Sequence, residues 1–249
     1  MKSAAIIPAR YGSTRFPGKV LAELEGKPII EWVYEKASAS SADYVFVATD
    51  DEKVFKVVEA FGGKAVMTSP DHPSGTDRIY EAVTKKCPDA DIIINVQGDE
   101  PLLPSSVIDS LINKMKSDSS IEMATVAVPA KREEISSNPN IVKAVMDKNG
   151  FALYFSRAPV PFIREGGTDM PLYRHWGIYV YRRKTLEKFI ALPESSLEKC
   201  EKLEQLRALE NGIRIFVLIS DFTTVGVDTP EDLHKVIEIF RKKRYGDSI

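Results

Sequence analysis

The sequence predicts an α/β fold: a mostly parallel sheet with helices on both faces, followed by a mixed second half. Three observations carry that expectation. Apolar runs of strand length alternate with amphipathic stretches across short connections, the pattern of parallel strands joined by crossover helices. The run Asp91 to Val96 (DIIINV) is apolar almost throughout, as a strand covered on both faces must be. The runs ending at Ile7, Met67 and Val96 each give way to a polar loop. Ligands of such folds bind at the carboxyl ends of the strands, so the topology predicts that these three loops converge.

Taken in order, Ala4 to Ile7 is a short buried strand, stopped at Pro8. Pro28 opens a helix in the first-turn position that proline tolerates, running through Trp32 and Val33 toward Ala39. Asp43 to Ala48 is the next strand. Asp51 to Phe61 is a helix with Val54, Val57, Val58 and Phe61 on one face, ended by Gly62 and Gly63. A strand at Ala65 to Met67 precedes a loop, Ser69 to Gly75, and Thr76 caps a helix carrying Ile79, Tyr80 and Val83. After Asp91 to Val96, Pro104 to Met115 forms a helix. The second half offers strands at Met123 to Val128, Val142 to Met146 and Phe151 to Phe155, then a Pro/Gly loop, Pro159 to Pro171, that reads as a lid or interface arm. Tyr173 to Arg182 is a strand, Leu197 to Leu209 a helix with a leucine stripe, and Ile213 to Ile219 a strand. Thr229-Pro230-Glu231-Asp232 opens the last helix with cap, proline and acidic first turn. With no repeat and no low-complexity linker, residues 1–249 read as one body with halves at about 1–118 and about 119–249.

Composition limits the function. The net charge of −2 leaves no basic field for nucleic acid. The one dense basic stretch, Arg241 to Arg244, reads as the solvated end of the last helix, a nucleic-acid or membrane tail being the other reading. Cys87 and Cys200 stand far apart without CxxC spacing, which argues against a zinc site or disulfide and for a reducing, cytoplasmic setting. No segment approaches the roughly 18 to 20 apolar residues of a membrane span.

The opening loop, IPARYGSTRFPGK (Ile7 to Lys19), carries the chemistry. Arg10, Arg15 and Lys19 are interleaved with Gly12 and Gly18 directly after a buried strand, an arrangement suited to a polyphosphate. It is not a P-loop: Gly12 and Gly18-Lys19 are one residue too far apart, and Val20 stands where Ser or Thr would hold a metal. Asp99 follows Gly98 after a strand, and Asp228 precedes the last helix. Each reads as a strand-end ligand for Mg²⁺ against a phosphate, or, more plainly, as a turn former and a cap neighbour. Ser74-Gly75-Thr76-Asp77-Arg78 could read a base edge or be an ordinary helix cap. No Ser/His/Asp or Cys/His arrangement suggests a covalent intermediate, so direct in-line displacement is the simpler chemistry.

IPARYGSTRFPGK, HPSGTDR, NVQGDEP, ALYFSRAPVP, HWGIYVY, the stretch from Leu197-Glu198-Lys199 to Leu203-Glu204-Gln205-Leu206-Arg207, and VGVDTPEDL together resemble CMP-KDO synthetase, the 3-deoxy-manno-octulosonate (KDO) cytidylyltransferase family. The match is collinear from Ile6 to Leu233. The resemblance implies a GT-A-like nucleotidyltransferase fold with a Rossmann-like sheet, in which the first half binds the nucleotide and the second binds the sugar and dimerises. It implies CTP and KDO as substrates, Mg²⁺, a homodimer and a cytoplasmic step in lipopolysaccharide core synthesis. Arg10, Arg15 and Lys19 resemble triphosphate-binding residues, and Ser74, Gly75 and Arg78, with Gln97 close by, resemble cytosine and ribose contacts. Asp99 and Asp228 resemble a metal-binding pair, so that Lys19, Arg10, Asp99 and Asp228 would be catalytic. Arg157, His175, Tyr179, Glu204 and Gln205 lie in motifs that resemble a sugar-acid pocket. Cytidylyltransferases for amino-KDO or sialic acid are the nearest chemical alternatives. A GT-A glycosyltransferase more often shows Asp-x-Asp where this chain has Gly-Asp-Glu-Pro, and a silent nucleotide-binding module would not need both aspartates.

Overall fold

A computed structural model describes residues 1–12, 15–136, 138–165, 170–222 and 225–245. Its contacts divide the chain into two compact units: Met1–Ile112 with Thr224–Ile249, and Asn113–Thr223, the second inserted in the sequence of the first. Residues 225–245, grouped by sequence with the second half, pack with the first unit.

In the first unit, β1 (Lys2–Pro8) leads through a small hairpin, β2 (Glu23–Leu24) and β3 (Lys27–Pro28), into α1 (Ile29–Ser38). Then come β4 (Tyr44–Thr49), α2 (Glu52–Ala60), β5 (Ala65–Met67), α3 (Gly75–Lys86), β6 (Ala90–Asn95) and α4 (Ser105–Ser117), in which the unit ends. β1 pairs in parallel with β4 on one side and β6 on the other, and β4 pairs in parallel with β5. Ala4 to Ile7 are all fully buried. Successive strand residues point to opposite faces, so protein covers both faces of β1.

Local chemistry sets the helix starts, and at two of them it differs from the expectation. Asp51 caps α2 by accepting from the Lys53 and Val54 N–H groups at 2.7 and 3.2 Å. Pro28 is itself the N-cap of α1, in extended backbone, with Ile29 as the first helical residue. Ser74, not Thr76, caps α3, its hydroxyl accepting from the Thr76 and Asp77 N–H groups. Thr76 already lies inside the helix, as its second residue.

The second unit holds β7 (Met123–Ala130), α5 (Arg132–Ser136), β8 (Lys143–Met146), β9 (Ala152–Ser156), β10 (Leu172–Arg182), α6 (Arg183–Ile190), α7 (Ser196–Glu201), α8 (Gln205–Glu210) and β11 (Ile215–Ile219). β7 pairs antiparallel with β10 and parallel with β11, and β8 pairs antiparallel with β9 and with β10, which is the mixed sheet expected. The β7–β10 register slips between Trp176 and Tyr179, and Thr125 fills the irregularity with its hydroxyl 2.7 Å from the Ile178 carbonyl. The single helix expected over Leu197 to Leu209 is two. Lys202, with φ of 53°, turns the chain left-handed between α7 and α8, so the leucine stripe belongs to separate helices. The expected loop Pro159 to Pro171 is described except for residues 166–169. The last helix, α9 (Pro230–Tyr245), belongs to the first unit, and the Thr229 hydroxyl and Asp232 carboxylate bond one another at its start as read.

Candidate active site

The three strand-end loops of the first unit do converge, and hydrogen bonds tie them together. Arg10, two residues past β1, donates to the carbonyls of His72 and Ser74 at 2.6 and 3.2 Å, joining the loop after β1 to that after β5. Lys19 Nζ joins it to the loop after β6, lying 2.5 Å from Asp99 Oδ2. The same ammonium lies 2.8 Å from Asp228 Oδ1, and Arg15 reaches the other oxygen of Asp228 at 3.4 Å.

Backbone geometry delivers the two carboxylates to one place. Gly98 packs so closely that a Cβ there would lie 2.9 Å from the Pro8 carbonyl oxygen, so only glycine lets Asp99 follow β6 this tightly past β1. The Val227 N–H donates to the Asp99 carbonyl at 2.9 Å, which sets Asp228 beside Asp99. Residues 225–227 are not a strand, so Asp228 is delivered by this backbone bond and not by a strand end as expected. Gly18, at φ of 72°, donates its N–H to the Tyr11 carbonyl and closes the loop that aims Lys19 inward.

Lys19 is only 14% exposed, against 26% for Asp99 and 50% for Asp228. Burial disfavours its charge, but the field of Asp99 and bonds to both carboxylates outweigh that and hold the ammonium above the ordinary lysine range. Two carboxylate oxygens within 2.8 Å of one nitrogen point at a single cation position. That donor set fits Mg²⁺, which is usually held by one or two carboxylates with water and phosphate oxygens completing the shell. Among the described residues no cluster of three or more His, Cys, Asp or Glu side chains forms a metal site on its own.

The base-reading candidates lie around α3. Ser74 uses its hydroxyl on the cap and on Asp77, 2.6 Å away. The side chain of Arg78 is wholly buried, with its guanidinium on Thr68 and 2.6 Å from Asp50. Both therefore brace the loop from within, and a Cβ at Gly75 would only touch the Pro8 ring, at 3.7 Å. Gln97 donates to Asn95 at 3.2 Å. Sequence reading missed the bracing partners Asp50 and Thr68, which sit at strand ends without a motif. It also missed Glu81, which accepts from the Ser69 N–H at 2.9 Å and pairs with His72 and Lys85.

The second unit gathers the remaining candidates. Arg157 donates from Nε to the Glu201 carbonyl at 2.7 Å, and from its two terminal nitrogens to Pro139 and Lys202 carbonyls at 3.0 and 3.4 Å. A guanidinium has five N–H donors, so two remain for a carboxylate. Its own backbone is fixed by Glu201 and by the buried Lys143, two residues that sequence reading passed over. The Arg157 contacts at Glu201 and Lys202 stand one residue, Leu203, short of Glu204 and Gln205. Gln205 is buried, and its Nε2 has no partner among the described residues, the kind of group a ligand satisfies.

His175 and Tyr179 flank the β10 irregularity, their ring centroids 5.5 Å apart. Burial pushes the His175 pKa down to about 3, so the imidazole is neutral at physiological pH. Its Nε2 lies 2.9 Å from the Thr125 hydroxyl, whose proton goes to the nearer Ile178 carbonyl. Nε2 then carries the ring proton and Nδ1 is left as an acceptor. Tyr179 stays a protonated phenol, raised by burial and by nearby Tyr181 and Glu204.

A family model described as cytidylyltransferase matches residues 4–215. The 3-deoxy-manno-octulosonate cytidylyltransferase of Thermodesulfovibrio yellowstonii is 53% identical over 245 residues, covering 94% of this chain and 96% of that protein. The protein of the same name from Geotalea uraniireducens is 49% identical over 253 residues, covering 97% of this chain and 100% of its own. A solved CMP:2-keto-3-deoxy-manno-octonic acid synthetase complexed with CTP has a TM-score of 0.93 at 43% identity, covering 98% of this chain and 100% of that one. A cytidylyltransferase from Leptospira borgpetersenii, at 19% identity and a TM-score of 0.63, shares the nucleotidyltransferase fold alone. Identity near one half along almost the whole length of both chains settles the relationship: the chain belongs to the 3-deoxy-manno-octulosonate cytidylyltransferase family.

Proposed function

We propose that this protein transfers CMP from CTP to the anomeric hydroxyl of 3-deoxy-manno-octulosonate, giving CMP-KDO and pyrophosphate. The observation that carries the reading is the 53% identity to a protein of that name over nearly the full chain. The family resemblance also supports a homodimer and a cytoplasmic step in lipopolysaccharide core synthesis.

In this reading the hydroxyl attacks the α-phosphorus in line, and the protein supplies position and charge stabilisation. Arg10, Arg15 and Lys19 neutralise the triphosphate, with Lys19 and Arg10 meeting the charge that builds on the α-phosphate and the leaving pyrophosphate. Asp99 and Asp228 would hold Mg²⁺, which when bound polarises phosphate oxygens and lowers the pKa of a hydroxyl. Gly75 and Gln97 line the nucleoside side, while Ser74 and Arg78 keep the base-reading loop in shape. Arg157 offers its two remaining N–H donors to the sugar carboxylate. His175 Nδ1, the Tyr179 hydroxyl and the Gln205 amide would meet the sugar hydroxyls, with Glu204 beside Gln205 in sequence.

Pyrophosphate release from each of the four nucleoside triphosphates tests this, with KDO, its amino analogue and sialic acid as acceptors, with and without Mg²⁺. Release with CTP and KDO that depends on Mg²⁺ is expected. Preference for another acceptor or nucleotide overturns the substrate assignment, and full activity in chelator overturns the metal.

A further inference from the structure

We propose that Lys19 and Arg15 act as built-in counter-cations for Asp99 and Asp228, keeping the metal out until a triphosphate draws them away. The proposal rests on the reading of Asp99 and Asp228 as metal ligands. The geometry that supports it is the coincidence of two positions. Lys19 Nζ, at 2.5 Å from Asp99 and 2.8 Å from Asp228, stands where the two carboxylates converge. Arg15 takes the remaining oxygen of Asp228 at 3.4 Å. Two cations therefore already balance two anions. A divalent ion entering this cluster meets two positive charges already paired with the two carboxylates.

A triphosphate changes that balance. Its oxygens offer Lys19 and Arg15 a larger negative charge in the same loop, and both side chains have flexible stems long enough to turn toward it. Once they turn, Asp99 and Asp228 lose their partners. Two uncompensated carboxylates at a part-buried site are costly, and a metal supported by phosphate oxygens removes that cost. Metal and triphosphate thus bind cooperatively, and by linkage each raises the affinity for the other by the same factor. The free protein holds neither tightly.

The test is binding of Mn²⁺ alone, followed by its electron paramagnetic resonance signal, to the full chain without nucleotide and again saturated with CTP in the absence of sugar. Lys19→Met should raise the Mn²⁺ affinity of the nucleotide-free protein by about tenfold or more, the scale expected when one close, part-buried ion-pair partner is lost. Lys19→Arg keeps the charge and should give no gain. The gain should vanish in Lys19→Met/Asp228→Asn. Arg15→Met, on a side chain 65% exposed, should give a smaller gain in the same direction and serves if Lys19→Met fails to unfold cooperatively. A Lys19→Met protein within twofold of wild type overturns the counter-cation role. If Asp228→Asn nevertheless weakens Mn²⁺ binding in the CTP-saturated protein, the metal ligands stand and only the exchange is wrong. If Asp99→Asn and Asp228→Asn leave that binding untouched, the metal site itself is wrong.

Discussion

The ammonium of Lys143 donates to the backbone carbonyl of Arg157 over 2.6 Å. It donates as well to the carbonyls of Asn138 and Ile141, at 3.0 and 2.8 Å, so one buried lysine ties the loop before β8 to the chain after β9. Lys143→Met would leave three carbonyls without this donor. An unsatisfied buried polar group costs about 1–3 kcal/mol, and partial rehydration moderates the sum. Urea denaturation should therefore give a loss of about 2–4 kcal/mol. Because Arg157 is what Lys143 positions, the KM for the acidic sugar should rise several-fold with the KM for CTP unchanged. An equal rise in both would mean that the lysine serves general stability alone.

Asp228→Asn keeps the shape of the side chain and removes its charge. The fold should survive, since Asp228 is half exposed and the Val227–Asp99 backbone bond is independent of it. Turnover should fall by about 10² to 10³, the usual loss for one electrostatic group acting on a transition state. Steady-state pyrophosphate release at saturating Mg²⁺ measures it, and near-normal kcat would remove Asp228 from the chemistry.

Gly98→Ala places a methyl group 2.9 Å from a backbone oxygen that cannot rotate away. The loop after β6 must shift, at a cost of about 1–3 kcal/mol, typical of overpacking. Asp99 moves with it. Both the thermal midpoint and kcat should fall, and a fall in the midpoint with kcat intact would show that Asp99 tolerates displacement.

Burial would raise the Glu81 carboxyl, but bonds from Lys85, the Ser69 N–H and His72 outweigh it and hold the pKa at about 2, below the ordinary 4.5. A carboxylate depressed in the folded state binds protons more readily when unfolded. Its stabilisation is complete above about 4.5 and disappears as the pH falls toward 2. Urea midpoints measured from pH 6 downward should decline through that window, and Glu81→Gln should flatten the decline. A wild-type slope in the variant would assign the acid sensitivity to other groups.

The parallel strands were legible because their burial on both faces writes itself as unbroken apolar runs, as in Asp91 to Val96. The convergence of Arg10, Lys19 and the later loops followed from topology, which strand alternation reveals. What stayed hidden depends on contacts between residues distant in sequence. Nothing near Lys202 announces the left-handed turn that splits α7 from α8, since lysine rarely adopts that conformation. Ser74 and Thr76 are both good caps, and only the backbone decides between them. Asp50, Lys143 and Glu201 are ordinary polar letters in the sequence. Their importance lies in which buried group each satisfies, at separations of 28 residues for Asp50 and Arg78 and 44 for Glu201 and Arg157.

The insertion of the second unit between Asp99 and Asp228 has a consequence for biosynthesis. A ribosome delivers Lys19 and Asp99 early, but their acidic companion emerges only after the whole inserted unit has been made. Every prematurely terminated product lacking Asp228 is a clamp with one jaw. Chains that end before Asp228 therefore lack both the second carboxylate beside Lys19 and the Val227 N–H that bonds the Asp99 carbonyl.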